Sequence, residues 1–299
     1  MVEFGPLKLK RLVSKMVDAG HSRTTVNKRL GALKQMFRWG VAEELVPAHI
    51  WQALDAVEGV RKGRTPAPEP KPVEPVEDEV VNRTLDFLTE VVADMVRFER
   101  ATGCRPAEVC IVRPMDIDRS GEVWRYYPDS HKTEHRGHKR VIYIGPKGQD
   151  ILRKYLLRPE DAYCFSPREA EQQRLEALHE KRRTPLSCGN RPGSNRRRWP
   201  KRRAGDRYKS ASYRRAIERA VEKLNKHLAE QAKKAGEPAP EPVPKWTPNR
   251  LRHTAGTNIR HKFGLEAAQV MLGHRQAAVT QIYAERDEKL GIEVAKKIG

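Results

Sequence analysis

Apolar residues along this chain fall into runs of helical spacing, separated by proline-rich stretches. Leu7, Leu12, Val13 and Met16 predict a first helix. Val26, Leu30, Leu33, Met36, Phe37 and Val41 recur at i, i+3 and i+4 and predict a second with one buried face, which Ser22 or Thr24 is placed to cap. A third is expected over 47–57. Residues 59–78 alternate Pro66, Pro68, Pro70, Pro72 and Pro75 with charges, a composition that favours extended backbone and reads as a semi-rigid linker. Helical spacing returns over 79–102, through Val80, Val81, Leu85, Leu88, Val91, Val92, Met95 and Val96. Within 115–144, Val123, Trp124, Tyr126 and Tyr127 predict one strand and Val141, Ile142, Tyr143 and Ile144 another, in a small antiparallel sheet. Further helices are expected after Gly145-Pro146, over 167–181 with most of its surface exposed, and over 208–233. Pro238, Pro240, Pro242 and Pro244 form a second extended connector. It leads to a helix opened by Leu251-Arg252-His253-Thr254 and to a short apolar helix stopped at Gly273. The prediction is a mainly α chain with a small antiparallel sheet. It has a helical domain over 1–58, a linker over 59–78, and a larger mixed α/β domain over 79–299 with an insertion at 167–209.

Charge changes this picture. Lysine and arginine total 59 against 39 acidic residues, a net charge of +20 with a pI near 10.0 over 299 residues. Such an excess points to a polyanionic partner, nucleic acid before a membrane surface. It is concentrated: residues 181–209 hold twelve lysines and arginines, Arg196, Arg197 and Arg198 among them, against Asp206 alone. With no periodicity, that segment reads as a phosphate-binding arm or, equally, as a solvated insert. The second helix carries Arg23, Thr24, Thr25, Asn27, Lys28, Arg29, Lys34 and Arg38 on its start and polar face, suited either to DNA phosphates or simply to water. Cys104, Cys110, Cys164 and Cys188 show no C-x-x-C pairing and read as reduced, mostly buried thiols of a cytosolic protein. His131, His135 and His138 lack the carboxylate or cysteine that would complete a metal site. No apolar run approaches membrane-spanning length, and the N-terminus has no apolar signal region.

The chemistry gathers in four places. Ala101-Thr-Gly-Cys-Arg-Pro-Ala-Glu-Val-Cys110 sets Arg105 at a helix junction, either aimed into a cleft or paired with Glu108. Ser130-His-Lys-Thr lies between the predicted strands. Leu251-Arg252-His253 precedes Leu272-Gly273-His274, and Tyr283 follows His274 by nine residues. Guanidinium groups hold phosphate oxygens and a phenolic oxygen can attack phosphorus. In this order, these strings resemble the tyrosine recombinase (phage integrase) family. The segment Thr25-Val-Asn-Lys-Arg-Leu30 is similar to that family's DNA-binding N-terminal domain, which usually has another helix before this point, so an N-terminal truncation is expected.

The resemblance implies the site. Tyr283 would be the nucleophile, Arg105 and Arg252 the phosphate clamps, Lys132 the general acid (with Lys139 competing), and His274 a phosphate ligand or proton carrier. Asn249 stands where the family has a histidine. Its amide donates a hydrogen bond but is neither acid nor base at neutral pH, so weakened activity is expected. Neither metal nor cofactor is expected, since arginines supply the charge. The expected partner is double-stranded DNA, bound by a homo-tetramer assembled from monomers. The short C-terminal tail, with Leu290, Ile292, Val294 and Ile298, is expected to dock on a neighbouring protomer or on its own domain. Two alternatives remain: a type IB topoisomerase using the same residues, and a DNA-binding relative that has lost catalysis.

Overall fold

The computed structural model describes residues 4–70, 72–129, 140–183, 185 and 204–273. The chain forms two compact units, Met1–Pro72 and Val73–Gly299. The described residues are mostly helical, with one small antiparallel sheet, as the hydrophobic pattern predicts. Among them, no helix is long and apolar enough to cross a membrane.

The N-terminal unit is built from α1 (Pro6–Asp18), α2 (Arg23–Ala42) and α3 (Ala48–Asp55). Leu9, Leu30, Phe37, Ile50 and Leu54 form its core, and Phe4 stacks on Phe37 with ring centroids 5.5 Å apart. The buried face of α1 runs through Leu9 and Met16, two turns apart. Leu7, one of the residues that predicted this helix, is 73% exposed, because it lies roughly 200° around the helix from Leu9. Met36 is exposed as well, leaving Phe37 to fill that turn of α2.

Residues 59–70 take the extended path their prolines require, yet they are packed. Val60 and Ala67 are buried with Met16 and Val26. The Asn27 side chain clamps the backbone of Val60 at both ends: its Nδ2 donates to the carbonyl (3.0 Å) and its Oδ1 accepts from the N–H (2.7 Å). The Arg23 N–H donates to the Pro68 carbonyl at 3.0 Å. A few residues on, Val76 belongs to the C-terminal unit, where it is buried and its N–H donates to Thr254 Oγ1 at 2.9 Å. The stretch expected as a linker is thus shared between the units, which divide at 72/73.

The C-terminal unit is organised around α5 (Glu90–Thr102), which packs against α7 (Pro146–Arg153), α8 (Pro167–Glu180), α10 (Pro248–Leu272) and β3 (Ile142–Ile144). The helical run read over 79–102 is two helices, α4 (Asp78–Leu85) and α5, joined by a turn in which Phe87 and Leu88 donate to Thr84 and Leu85 carbonyls, each at 3.1 Å. In one continuous helix, Leu85 and Phe87 would point to roughly opposite sides; the turn lets both pack on the core. The sheet runs β1 (Ile117–Asp118), β2 (Trp124–Tyr126), β3, all antiparallel, with Tyr126 opposite both Ile117 and Ile142. Its inner face buries Tyr126, Ile142 and Ile144 completely.

Helix α9 (Ser210–Ala235) holds the second proline-rich connector. Asn225 clamps Val243 just as Asn27 clamps Val60, with Nδ2 to carbonyl at 3.0 Å and N–H to Oδ1 at 2.8 Å. Trp246, 1% exposed, anchors the connector's end and donates from Nε1 to Thr84 Oγ1 at 3.2 Å. Pro248 then occupies the first turn of α10, where a missing N–H costs nothing. Helix α10 is broken at Gly264 (φ 87°, ψ 175°) and stops at Gly273 in the left-handed region (φ 62°, ψ 47°).

Candidate active site

The first arginine sits on a tight junction. Helix α5 ends at Gly103, whose φ of 62° is left-handed, and a Cβ there would lie 3.1 Å from Leu272 Cδ2 and 3.3 Å from Ala255 Cβ. Glycine is therefore required both by conformation and by the closeness of α10. Arg105 follows in extended conformation before α6 (Pro106–Val109), with Pro106 opening the helix. The Glu108 carboxylate reaches back to accept from the Arg105 N–H at 2.7 Å, as in a capping box. It also accepts from Arg105 Nη1 at 2.7 Å. So the pairing with Glu108 and an accessible arginine coexist: the Arg105 side chain keeps 26% of its surface exposed.

Glu108 serves a second arginine that the sequence reading passed over. Arg140, two residues before β3 begins, donates from Nε to Oε1 at 3.2 Å and from Nη2 to Oε2 at 3.4 Å. Its side chain is 5% exposed and that of Glu108 is 2% exposed. Tyr126 fixes the same turn from below, donating to the Glu108 carbonyl at 2.9 Å. The available signal was the position of Arg140: it abuts the apolar strand Val141–Ile144, so it belongs to the sheet's edge rather than to a solvated basic turn.

Arg252 ties the two ends of α10 to this junction. It is 4% exposed. Its Nη1 donates to the Gly103 carbonyl and its Nη2 to the Leu272 carbonyl, both at 2.7 Å. Arg252 is thereby tied to the glycine turn that Arg105 follows by two residues. Asn249 is exposed in the first turn of the same helix. His253 is half-buried, and burial together with the neighbouring charges of Arg252 and Arg250 pushes its imidazole below the ordinary value, so it is neutral at pH 7.

Burial opposes ionisation of Glu108, but the charges of Arg140 and Arg105 and the Arg105 N–H outweigh it, holding the carboxyl below its usual range. Glu99, one turn before Gly103, is wholly buried, with no hydrogen-bond partner for either carboxylate oxygen. Burial pushes it well above the usual range, against the pull of the Tyr213 hydroxyl and of Arg252. Arg105 and Arg140 thus share the Glu108 carboxylate, while Arg252 is tied to the Gly103 turn close by. An accessible arginine in such a cluster suits an anionic ligand with several oxygens.

Lys132, His274 and Tyr283 lie outside the described residues, as do Lys139 and Arg196, Arg197 and Arg198. Within the N-terminal unit, several residues expected to touch DNA are engaged locally. Arg23 forms a two-pronged pair with Glu69. Asn27 is occupied by Val60, and Lys34 Nζ donates to the Asp55 carbonyl at 2.7 Å. The Ser22 hydroxyl, at the N-cap position, meets those of Thr24 (3.3 Å) and Thr25 (2.9 Å) rather than a backbone N–H. Lys28 and Arg38 remain exposed on the polar face of α2, and Arg38 lies over the Trp51 ring.

Comparison with known proteins places this geometry. The chain is 25% identical to the tyrosine recombinase XerC of Thermodesulfovibrio yellowstonii, over 98% of its own length and 81% of that protein. Its fold is similar to that of the Tn1549 transposon integrase in complex with transposon right end DNA (TM-score 0.61, 17% identity, 100% of this chain and 86% of that one). It is also similar to that of a lambda integrase dimer bound to a COC′ core site (TM-score 0.58, 15% identity, 96% and 65%). The sequence pattern of the phage integrase family matches residues 76–289, well over half of the chain. The chain belongs to the phage integrase family, the tyrosine recombinases that cut and rejoin DNA at specific sites.

Proposed function

We propose that this recombinase works through a covalent 3′-phosphotyrosine. Tyr283 gives up its phenolic proton to His274 or solvent and attacks a scissile DNA phosphate; the Oη–P bond forms, the P–O5′ bond breaks, and the leaving 5′-oxygen takes its proton from Lys132. Arg105 and Arg252 balance the charge that develops on the non-bridging oxygens, and His274 hydrogen-bonds the phosphate or assists proton transfer. The phosphodiester energy is kept in the covalent bond, so a second DNA end reverses the step without ATP. Guanidinium groups supply the charge that a divalent metal supplies in other phosphoryl transfers.

The observation that carries this reading is the gathering of Arg105, Arg140 and Arg252 around the Gly103 turn and Glu108, with Arg105 the accessible member. The two integrase structures similar in fold are both described with DNA, which supports duplex DNA as the partner of this chain. Exposed Lys28 and Arg38 on α2, and Arg196, Arg197 and Arg198 in the basic insertion, are the proposed phosphate contacts. The working state is a homo-tetramer around two duplexes, assembled from cytoplasmic monomers on the nucleoid.

The test is a nicked-duplex trapping assay in EDTA, wild type beside Tyr283→Phe. A denaturant-resistant protein–DNA adduct that disappears in the variant is expected. An adduct that survives Tyr283→Phe, or that requires a divalent metal, refutes the mechanism. Relaxation of supercoiled DNA by dilute monomer would instead mark a topoisomerase. Asn249→His should raise the rate of adduct formation by about tenfold or more; an unchanged or lower rate contradicts the account of that position.

A further inference from the structure

Arg140 is buried more deeply than the accessible Arg105, and its Nη1 has no hydrogen-bond partner among the described residues. An unsatisfied donor on a buried charged group is costly, so the position needs a reason. The geometry around Gly273 supplies one. A Cβ built on Gly273 would lie 1.9 Å from Arg140 Nη1 and 2.9 Å from its Cζ. The guanidinium occupies the space where any other residue would carry its side chain. Gly273 ends α10, immediately before His274, and its neighbour Leu272 is held through its carbonyl by Arg252.

We propose that Arg140 is a positioning residue for strand cleavage: its guanidinium couples the Arg105–Glu108 pair to Gly273 and so fixes where the chain leaves α10 relative to Arg105. Two of its nitrogens fork onto Glu108, which is itself forked onto Arg105. The third lies beneath the Gly273 backbone. One planar group thus bridges the sheet edge, the first arginine junction and the end of α10. Lysine could keep an ion pair with Glu108, but a single ammonium has no second arm to set under Gly273. The inference rests on the phosphotyrosine reading, because the reaction it positions is that one.

The test is a double-mutant cycle on single-turnover adduct formation at saturating nicked duplex, with DNA affinity and melting temperature measured on every variant. The variants are Arg140→Lys, Gly273→Ala and the pair together. Arg140→Lys should fold, bind DNA within about threefold of wild type, and cleave about 10- to 100-fold more slowly. Gly273→Ala should cost more than tenfold in the wild-type background. In the Arg140→Lys background it should cost only a few-fold more, the residue of its left-handed backbone, because the space is vacated. Costs that simply multiply overturn the coupling, as does an Arg140→Lys enzyme that cleaves at the wild-type rate. A variant that slows cleavage only in proportion to lost DNA affinity or lost folded protein is structural, and also overturns it. A wild type that yields no Tyr283-dependent adduct sinks the phosphotyrosine reading and this inference together. An active wild type with multiplicative variants sinks this inference alone.

Discussion

The two proline-rich connectors use the same device to different ends. In each, an asparagine from a helix grips both backbone groups of one valine: Asn27 on Val60, Asn225 on Val243. Proline removes backbone donors and forbids helix, so an extended stretch needs side chains to satisfy the groups that remain. The first connector settles on its own unit through Val60 and Ala67, small side chains that bury little surface. The second ends on Trp246, one of the largest fully buried side chains, and runs directly into the helix that carries Asn249 and Arg252. A pinned connector in the first case completes a domain. In the second it aims the helix that carries Asn249 and Arg252.

That contrast is open to attack, beginning with its largest expected effect. Trp246→Ala should lower the stability of the catalytic unit by about 3–5 kcal/mol, from lost packing and the cavity left behind. Adduct formation should fall with it, and a calorimetric trace in which that unit melts unchanged would show that the anchor is not Trp246. Asn225→Ala leaves both backbone groups of Val243 without a partner and should cost about 2 kcal/mol in the same unit, with slower cleavage. Asn27→Ala should cost about as much, but in the N-terminal unit, with cleavage at saturating DNA within about threefold of wild type. Equal losses of cleavage from the two asparagine variants would erase the distinction drawn here.

The smallest effect is one of pH. Every buried charged side chain among the described residues lies in the C-terminal unit. Glu99 has its folded value raised, so the stability it contributes is full below the ordinary carboxylate value and is lost as pH rises towards the folded one. Glu108 has its value lowered, so its contribution is present above the ordinary value and is lost as pH falls through the folded one. Glu99→Gln should therefore raise the melting temperature of the catalytic unit by a few degrees at pH 8, and by less at pH 5. Parallel melting curves for variant and wild type between those pH values would contradict the burial account of Glu99.

How far the sequence was legible depended on how local the cause was. Helices whose apolar period was clean, such as Val26–Leu30–Phe37 in α2 and Tyr213–Ile217–Val221–Leu224 in α9, stand where the pattern put them. The turn at 86–89 was invisible, because what broke the helix was the need of Leu85 and Phe87 to reach one core, a tertiary fact. Arg105 and Arg252 were legible as motif residues, since a glycine turn and a helix start are written in adjacent letters. Arg140 was not: its partner Glu108 is 32 residues away and its reason for burial, Gly273, is farther still. Asn27 was read as a DNA contact because polarity at a helix start is the same in sequence whether its partner is a phosphate or the backbone of Val60.

All four cysteines of the chain fall after residue 103, and Cys104, Cys110 and Cys164 are buried free thiols. Burial pushes those of Cys110 and Cys164 up to about 12, so the reactive thiolate is scarce as well as hidden. The N-terminal unit has no sulfhydryl at all. With Cys188 replaced by serine, an alkylating reagent would label this protein only when the catalytic unit opens. The rate of labelling would then be a clock for that unit alone, read without separating it from the rest of the chain.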